Sequence, residues 1–160
     1  MDEPAIDDQA FLQLAIDEAV AGVRAGDGRP FGAVIVRGGA IVVKAHNSVI
    51  LRNDPTAHAE MEAIRAASRA LGTFDLTGCD LYSSCEPCPM CLGATLWSRV
   101  DRLFFAANRF DAAAGGFDDA ALYDQLAKPM EQRERPKTTR LPLPTLGAPF
   151  EAWVERNGRS

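Results

Sequence analysis

Between residues 7 and 25 apolar side chains recur at helical spacing. Phe11, Ala15, Ala19 and Val23 fall four apart, with Leu12, Ile16 and Val20 beside them. The pattern predicts an amphipathic helix that Gly26, Gly28 and Pro30 bring to an end. Two short apolar runs follow, FGAVIV at 31–36 and AIVVKA at 40–45, and Gly38-Gly39 between them signals a hairpin. Residues 46–56 read as a loop. From Ala57 the segment AHAEMEAIRAASRAL is rich in helix formers, with Thr56 as a candidate N-cap and Leu71-Gly72 as the stop. DLYSS (80–84) predicts a short strand. Pro87 and Pro89 introduce a third helix running to about Trp97, and DRLFFAA (101–107) predicts a further strand. Strands that alternate with helices argue for a layered α/β fold.

The last third is less regular. Residues 109–119 are small and polar and read as a loop, and 120–127 as a helix. Residues 128–149 hold five prolines and the charged run EQRERPK, which reads as a solvated surface segment. APFEAWVER (148–156) suggests a closing helix. Neither a repeat nor a low-complexity tract nor a linker breaks the chain, so its 160 residues are expected to form a single domain. A hydrophobic fraction of 47% makes a sizeable core plausible, and the net charge of -5 disfavours a dedicated nucleic-acid binder, which needs a basic face. No run of about 18 apolar residues is present to cross a membrane. The acidic start MDEPAIDDQA is unlike a secretory signal, which makes the cytoplasm the expected location.

The four cysteines change the picture. They stand at 79, 85, 88 and 91, and such crowding without an export signal points to metal or redox chemistry rather than disulfides. His58-Ala59-Glu60 and Pro87-Cys88-Pro89-Met90-Cys91 both fall at predicted helix starts. Backbone N–H groups there favour negative charge and lower a thiol's pKa. Cys88 and Cys91, three apart on a first turn, can face one zinc ion, with His58 as third ligand and the fourth position left to water. One neutral imidazole and two thiolates cancel the charge of Zn²⁺, so water there is less acidified than in an all-histidine site and calls for a nearby base. Glu60, two residues from His58, is placed to be that catalytic base. A Cys-X-X-Cys pair alone also suits a redox pair or a structural zinc site completed by Cys85, Cys79 or His46. His-X-Glu followed by Pro-Cys-X-X-Cys is far more specific and marks zinc nucleobase deaminases. On that reading Cys85 supports the site and Cys79 is core packing.

With these motifs the chain resembles the cytidine deaminase-like superfamily of zinc deaminases. The resemblance is carried by PFGAVIV (30–36), HNSV (46–49), NDPTAHAE (53–60), SCEPCPMCLGA (84–94), GGFDDAALY (115–123) and PFEAW (149–153). GGFDD with PFEAW points to the bacterial guanine deaminase branch. The resemblance implies a three-layer α/β/α sandwich with a mixed five-stranded sheet, a Zn²⁺ cofactor and a homodimer. In that branch the C-terminal segment, here about 120–160, is exchanged and helps close the partner's site. The implied reaction is hydrolysis of guanine to xanthine and ammonia.

The resemblance also implies substrate contacts. Asn47 would hydrogen-bond the purine, Phe31 would stack on or flank it, the backbone of Ala59 would touch it, Trp97 would wall the pocket, and Asp119 would bind the guanine edge. The residue types alone allow simpler roles. Asn47 suits a loop cap, Phe31 and Trp97 suit a core, and Asp118 or Asp119 suits an N-cap. One departure stands out: no tyrosine or phenylalanine follows Trp153 to act as an aromatic lid. An open lid would admit a ribose, which keeps guanosine, or another small aminated ring such as cytosine, as alternative substrates. A tRNA adenosine deaminase shares the zinc residues but needs a basic surface that an acidic chain does not suggest.

Overall fold

A computed structural model describes residues 6–159; the acidic start, residues 1–5, lies outside it. The elements run α1 (Ile6–Ala25), β1 (Gly32–Arg37), β2 (Ala40–His46), α2 (Val49–Arg52), α3 (Ala59–Leu71), β3 (Cys79–Cys85), α4 (Pro89–Ser98), β4 (Arg102–Ala107), α5 (Arg109–Ala114), α6 (Ala120–Ala127) and α7 (Ala148–Asn157), with a 3-10 turn at Met130–Gln132. The sheet order is β2-β1-β3-β4. β1 lies antiparallel to both β2 and β3, and β4 lies parallel to β3.

The layered architecture with a mixed sheet is present, but the sheet has four strands, not five. β4 is an edge, and the chain beyond it cannot easily supply a fifth strand. It turns at once into α5, and further on Pro129, Pro136, Pro142, Pro144 and Pro149 remove ladder donors.

β1 is buried on both faces, and its alternation sorts the two cores. Ala33 and Ile35 pack with Leu81 of β3 and with Ala59, Ala63 and Ala67 of α3. Val34 and Val36 pack with Tyr82 and with Ala15 of α1. Alanine at these helix positions lets both helices lie close to the sheet. At Gly32 the approach is closest: a Cβ there would stand 2.0 Å from the Ala15 carbonyl oxygen. Tyr82 stacks on Phe104 at 4.9 Å and donates its hydroxyl hydrogen to the buried Asp8 carboxylate, tying α1 to β3. In the hairpin, Gly38 and Gly39 take φ of 57° and 78°, the left-handed pair that a tight primed turn requires.

Two short helices were not expected. α2 interrupts the 46–56 loop, and α5 occupies 109–114. α5 begins with a capping box in which the Asn108 side chain accepts from the Phe110 and Asp111 amides while Asp111 accepts from the Asn108 amide. Thr56 does not cap α3. It joins an Asp54 turn, and His58 takes the N-cap position.

The chain divides after Ala121 into two compact units. The first contains the sheet. The second holds most of α6, the 3-10 turn and α7, and none of residues 122–159 is buried. Among the described residues no helix is long and apolar enough to cross a membrane.

Gly32→Ala should lower stability by about 3 kcal/mol, the upper end of ordinary overpacking, because the contact is with backbone. Urea denaturation followed by circular dichroism would show this as a reduced midpoint.

Candidate active site

β3 and the two helices beside it converge on one point. His58 is the N-cap of α3, Cys88 is the N-cap of α4, and Cys91 lies in the first turn of α4. Both N-cap residues have extended backbone, and Pro89 at the first helical position starts α4. Neither side chain makes a capping hydrogen bond, which leaves both for other partners. They point at each other. Nδ1 of His58 lies 3.6 Å from Sγ of Cys88 and 3.5 Å from Sγ of Cys91, and the three ligand atoms fall within 4.8 Å of one another.

These spacings suit a zinc ion. Ordinary Zn–S and Zn–N bonds at a tetrahedral angle separate sulfur from nitrogen by about 3.6 Å. Two sulfurs and one imidazole are also the donor set that zinc prefers. The two thiols oppose each other's ionisation, so one of them keeps its proton. The bond from Cys91 pulls Cys88 down to about 4, and the same bond, with burial, pushes Cys91 far up. A dication takes the place of such a proton.

Among the described residues, no fourth histidine or cysteine joins the three. Cys79 is wholly buried in the core, Cys85 bonds the Asn108 carbonyl, and His46 is engaged by Glu18 and Asp27. The four-ligand structural site is therefore not what the chain builds. Glu60, in the first turn of α3, is 5% exposed. Burial pushes its pKa up, and the Cys88 charge adds to that against the lowering bond from Cys91. Ser83 of β3 places its hydroxyl 3.3 Å from Oε1 of Glu60 and 2.6 Å from the Cys85 carbonyl.

A sequence profile described as the cytidine and deoxycytidylate deaminase zinc-binding region matches residues 5–107. The chain belongs to this zinc deaminase family. It is 50% identical over 145 residues to guanine deaminase of Bacillus subtilis, covering 91% of this chain and 92% of that protein. The crystal structure of the Bacillus subtilis protein superposes with a TM-score of 0.91 at 48% identity, covering 95% of this chain and 96% of the other. The tRNA-specific adenosine deaminase of Aquifex aeolicus is 48% identical over 106 residues, 66% of this chain and 68% of that protein. A structure of guanine deaminase from Nitrosomonas europaea aligns at 34% identity with a TM-score of 0.65, covering 74% of this chain and 67% of that one.

Other predicted contacts of the deaminase fall in varied places. Asn47 is 1% exposed, and its Oδ1 accepts from the Arg29 and Val49 amides at 3.1 and 3.2 Å. The loop-capping role is therefore real, and it leaves Nδ2 as the end that can meet a ligand. Phe31 is half-buried and packs edge-on against Phe117, ring centres 5.5 Å apart. Ala59 is wholly buried in the core, at the start of α3. Asp119 is half-buried, and its pKa is raised by burial and by the charge of Cys88, so it lies within electrostatic reach of the cluster in its own chain. Asp118, not Asp119, accepts from the Ala120 amide as α6 begins.

Trp97 is not brought to the cluster. It is 88% exposed and lines a separate groove with Phe74, Leu96 and Arg99, so it is not a core aromatic. Cys91 and Trp97 stand six apart on α4, which turns them to different faces. Ser83, Arg29 and Phe117 were not foreseen. Arg29 stands over the Phe117 ring at 5.9 Å, and its charge reaches His58. Phe117 lies inside the GGFDD block, which was the available signal.

Zinc-replete protein should hold one zinc per chain by plasma mass spectrometry. Cys91→Ser should lose most of it, whereas Glu60→Ala should keep it and lose nearly all ammonia release. Turnover retained by the zinc-loaded Glu60 variant would rule out a base role for this residue.

Proposed function

We propose that this deaminase hydrolyses guanine to xanthine and ammonia. The observation that carries the reading is the buried Glu60 carboxylate beside the His58, Cys88 and Cys91 donors. Similarity to guanine deaminase along nearly the whole chain supports the choice of base.

Zinc, when bound by the three donors, supplies a Lewis acid that acidifies water and steadies negative charge on oxygen. The chain's residues do the rest. Glu60 takes a proton from the water that attacks C2 and delivers it to N3. It then carries a second proton to the departing amine, so that water and guanine become xanthine and ammonia. The raised pKa of Glu60 makes it the stronger base for taking that proton from water. Ser83 holds Oε1 of Glu60 in place. Asn47 offers Nδ2 to the purine, the Ala59 backbone lines the ring's approach, Phe31 flanks its face, and Asp119 receives the N–H groups of its edge. Trp97 has a place in this scheme only through a neighbouring subunit.

Burial supports a homodimer with exchanged C-terminal units. Residues 122–159 have no buried residue of their own, yet they expose Leu122, Leu126, Leu141, Phe150 and Trp153. The first unit carries an apolar groove of about 620 Å³ lined by Phe31, Cys85 and Phe117 among others. A second copy's C-terminal unit is an apolar occupant of suitable kind. One domain per chain, closed by exchange, is the arrangement proposed, in the cytoplasm.

A panel of guanine, guanosine, cytosine, adenine and tRNA under zinc-replete conditions, read by ammonia release, tests the substrate. Guanine should exceed every other member by at least about a hundredfold, the discrimination expected when a site hydrogen-bonds one base edge. Greater activity on guanosine or tRNA would overturn the reading. Light scattering after gel filtration should give the mass of two chains, about twice 17.3 kDa, and a monomer at micromolar concentration would dismiss the exchange.

A further inference from the structure

We propose that His46 is a positioning residue for purine binding, an imidazolium clamped between Glu18 and Asp27 that holds the loop around Asn47. The proposal rests on the reading of Asn47 as a purine contact.

Nδ1 of His46 lies 3.1 Å from Oε2 of Glu18, and Nε2 lies 2.8 Å from Oδ2 of Asp27. Ionised carboxylates only accept hydrogen bonds, so each ring nitrogen must carry a hydrogen. A neutral imidazole has one N–H and would set a lone pair against the other carboxylate. The geometry therefore describes a cation between two anions, with the three side chains about one-quarter exposed. α1 leaves room for the ring. A Cβ on Gly22 would meet the His46 ring at 2.6 Å, so glycine lets the imidazole lie against the helix.

The three partners come from three segments that meet beside the active site. Glu18 belongs to α1, Asp27 to the loop after it, and His46 ends β2. The next residue is Asn47. Its amide donates to the Phe31 carbonyl at 2.9 Å, and its Oδ1 receives the Arg29 amide from the same loop as Asp27. That loop presses on Asn47 directly: a Cβ at Gly28 would stand 2.1 Å from the Asn47 carbonyl oxygen. The Asp27–His46 bond thus closes the 27–30 loop over the amide that fixes the Asn47 side chain. Ser48, one residue further, donates its amide to Ala57, just before the metal-binding His58.

Other charged groups face the same place. The groove beside the ring is lined by Glu18, Lys44, Arg52, Glu62 and Arg69, with Arg52 paired to Glu62 at 3.0 Å. Burial lowers the pKa of His46, but the bonds and charges of Glu18 and Asp27 outweigh it and hold the value above that of an ordinary histidine. A raised value means that the clamp is complete at low pH and is lost as pH rises through the folded-state value. The loss should appear in KM, because His46 touches neither the zinc donors nor Glu60.

The test is a pH series of steady-state kinetics on zinc-loaded full-length protein, wild type against His46→Gln and Asp27→Asn. Each uses the panel member that wild type turns over, so absence of guanine turnover counts against the guanine reading alone. The glutamine variant should raise KM about tenfold near neutral pH, the scale of a lost charge-assisted hydrogen bond, with kcat within about twofold. The alkaline rise in KM expected of wild type should disappear in His46→Gln and move to lower pH in Asp27→Asn. ¹⁵N imidazole spectra of wild type should show both His46 nitrogens protonated at pH 7, a reading that needs no variant to fold. A neutral ring at pH 7, an unchanged KM profile, or a fall in kcat at constant KM would each overturn the proposal.

Discussion

Cys88, Cys91 and Glu60 put two sulfurs and a carboxylate close together in the interior. Like charges at that range cannot all ionise unless a cation lies among them. The three groups perturb one another's ionisation accordingly. One sulfur is driven down, the other up, and Glu60 rises with them. A dication relieves all three at once. The helix starts do the remaining work, since the amide ends of α3 and α4 both face the cluster and favour negative charge there.

That convergence dictates much of the packing. α3 and α4 must begin close together, and α3 must lie flat on β1 for His58 to reach the sulfurs. Ala59, Ala63 and Ala67 make this possible by keeping the helix face thin. On the other side Ala15 and Gly32 bring α1 equally close. β1 is gripped between two helices that present alanine where they come closest, with larger side chains such as Phe11 and Ile64 packed around those contacts.

Much of this was legible from residue types. His-X-Glu and Pro-Cys-X-X-Cys announced the cluster, because metal chemistry restricts both residue and spacing. The alternation of 31–36 and the four-residue recurrence of 11–23 announced β1 and α1. Other features were hidden for physical reasons. α5 is too short for a periodic signal, and its start is written only in the Asn108–Asp111 capping pair. Thr56 looked like a cap, but Asp54 drew it into a turn, leaving the N-cap to a residue whose side chain serves the metal site. The fifth strand came with the family resemblance, and nothing in the proline-rich stretch supported it. Trp97 shows the limit of residue type, since exposure on α4 depends on which face the sulfurs claim.

In the proposed function, Asn47 joins the scaffold to the choice of substrate. Its Oδ1 is held by two backbone amides, so the side chain cannot flip without breaking both bonds. Only donor hydrogens remain to face a ligand. Guanine presents two acceptors, O6 and N7, along one edge, whereas adenine presents one acceptor and one amino donor there. A locked Nδ2 therefore matches guanine and meets adenine's amino group donor to donor. A site that buries such a mismatch discriminates far better than one that measures size alone. In the guanine reading, the bonds that make Asn47 a loop cap also make it a selector, and its two proposed roles are one arrangement seen from opposite ends of the amide.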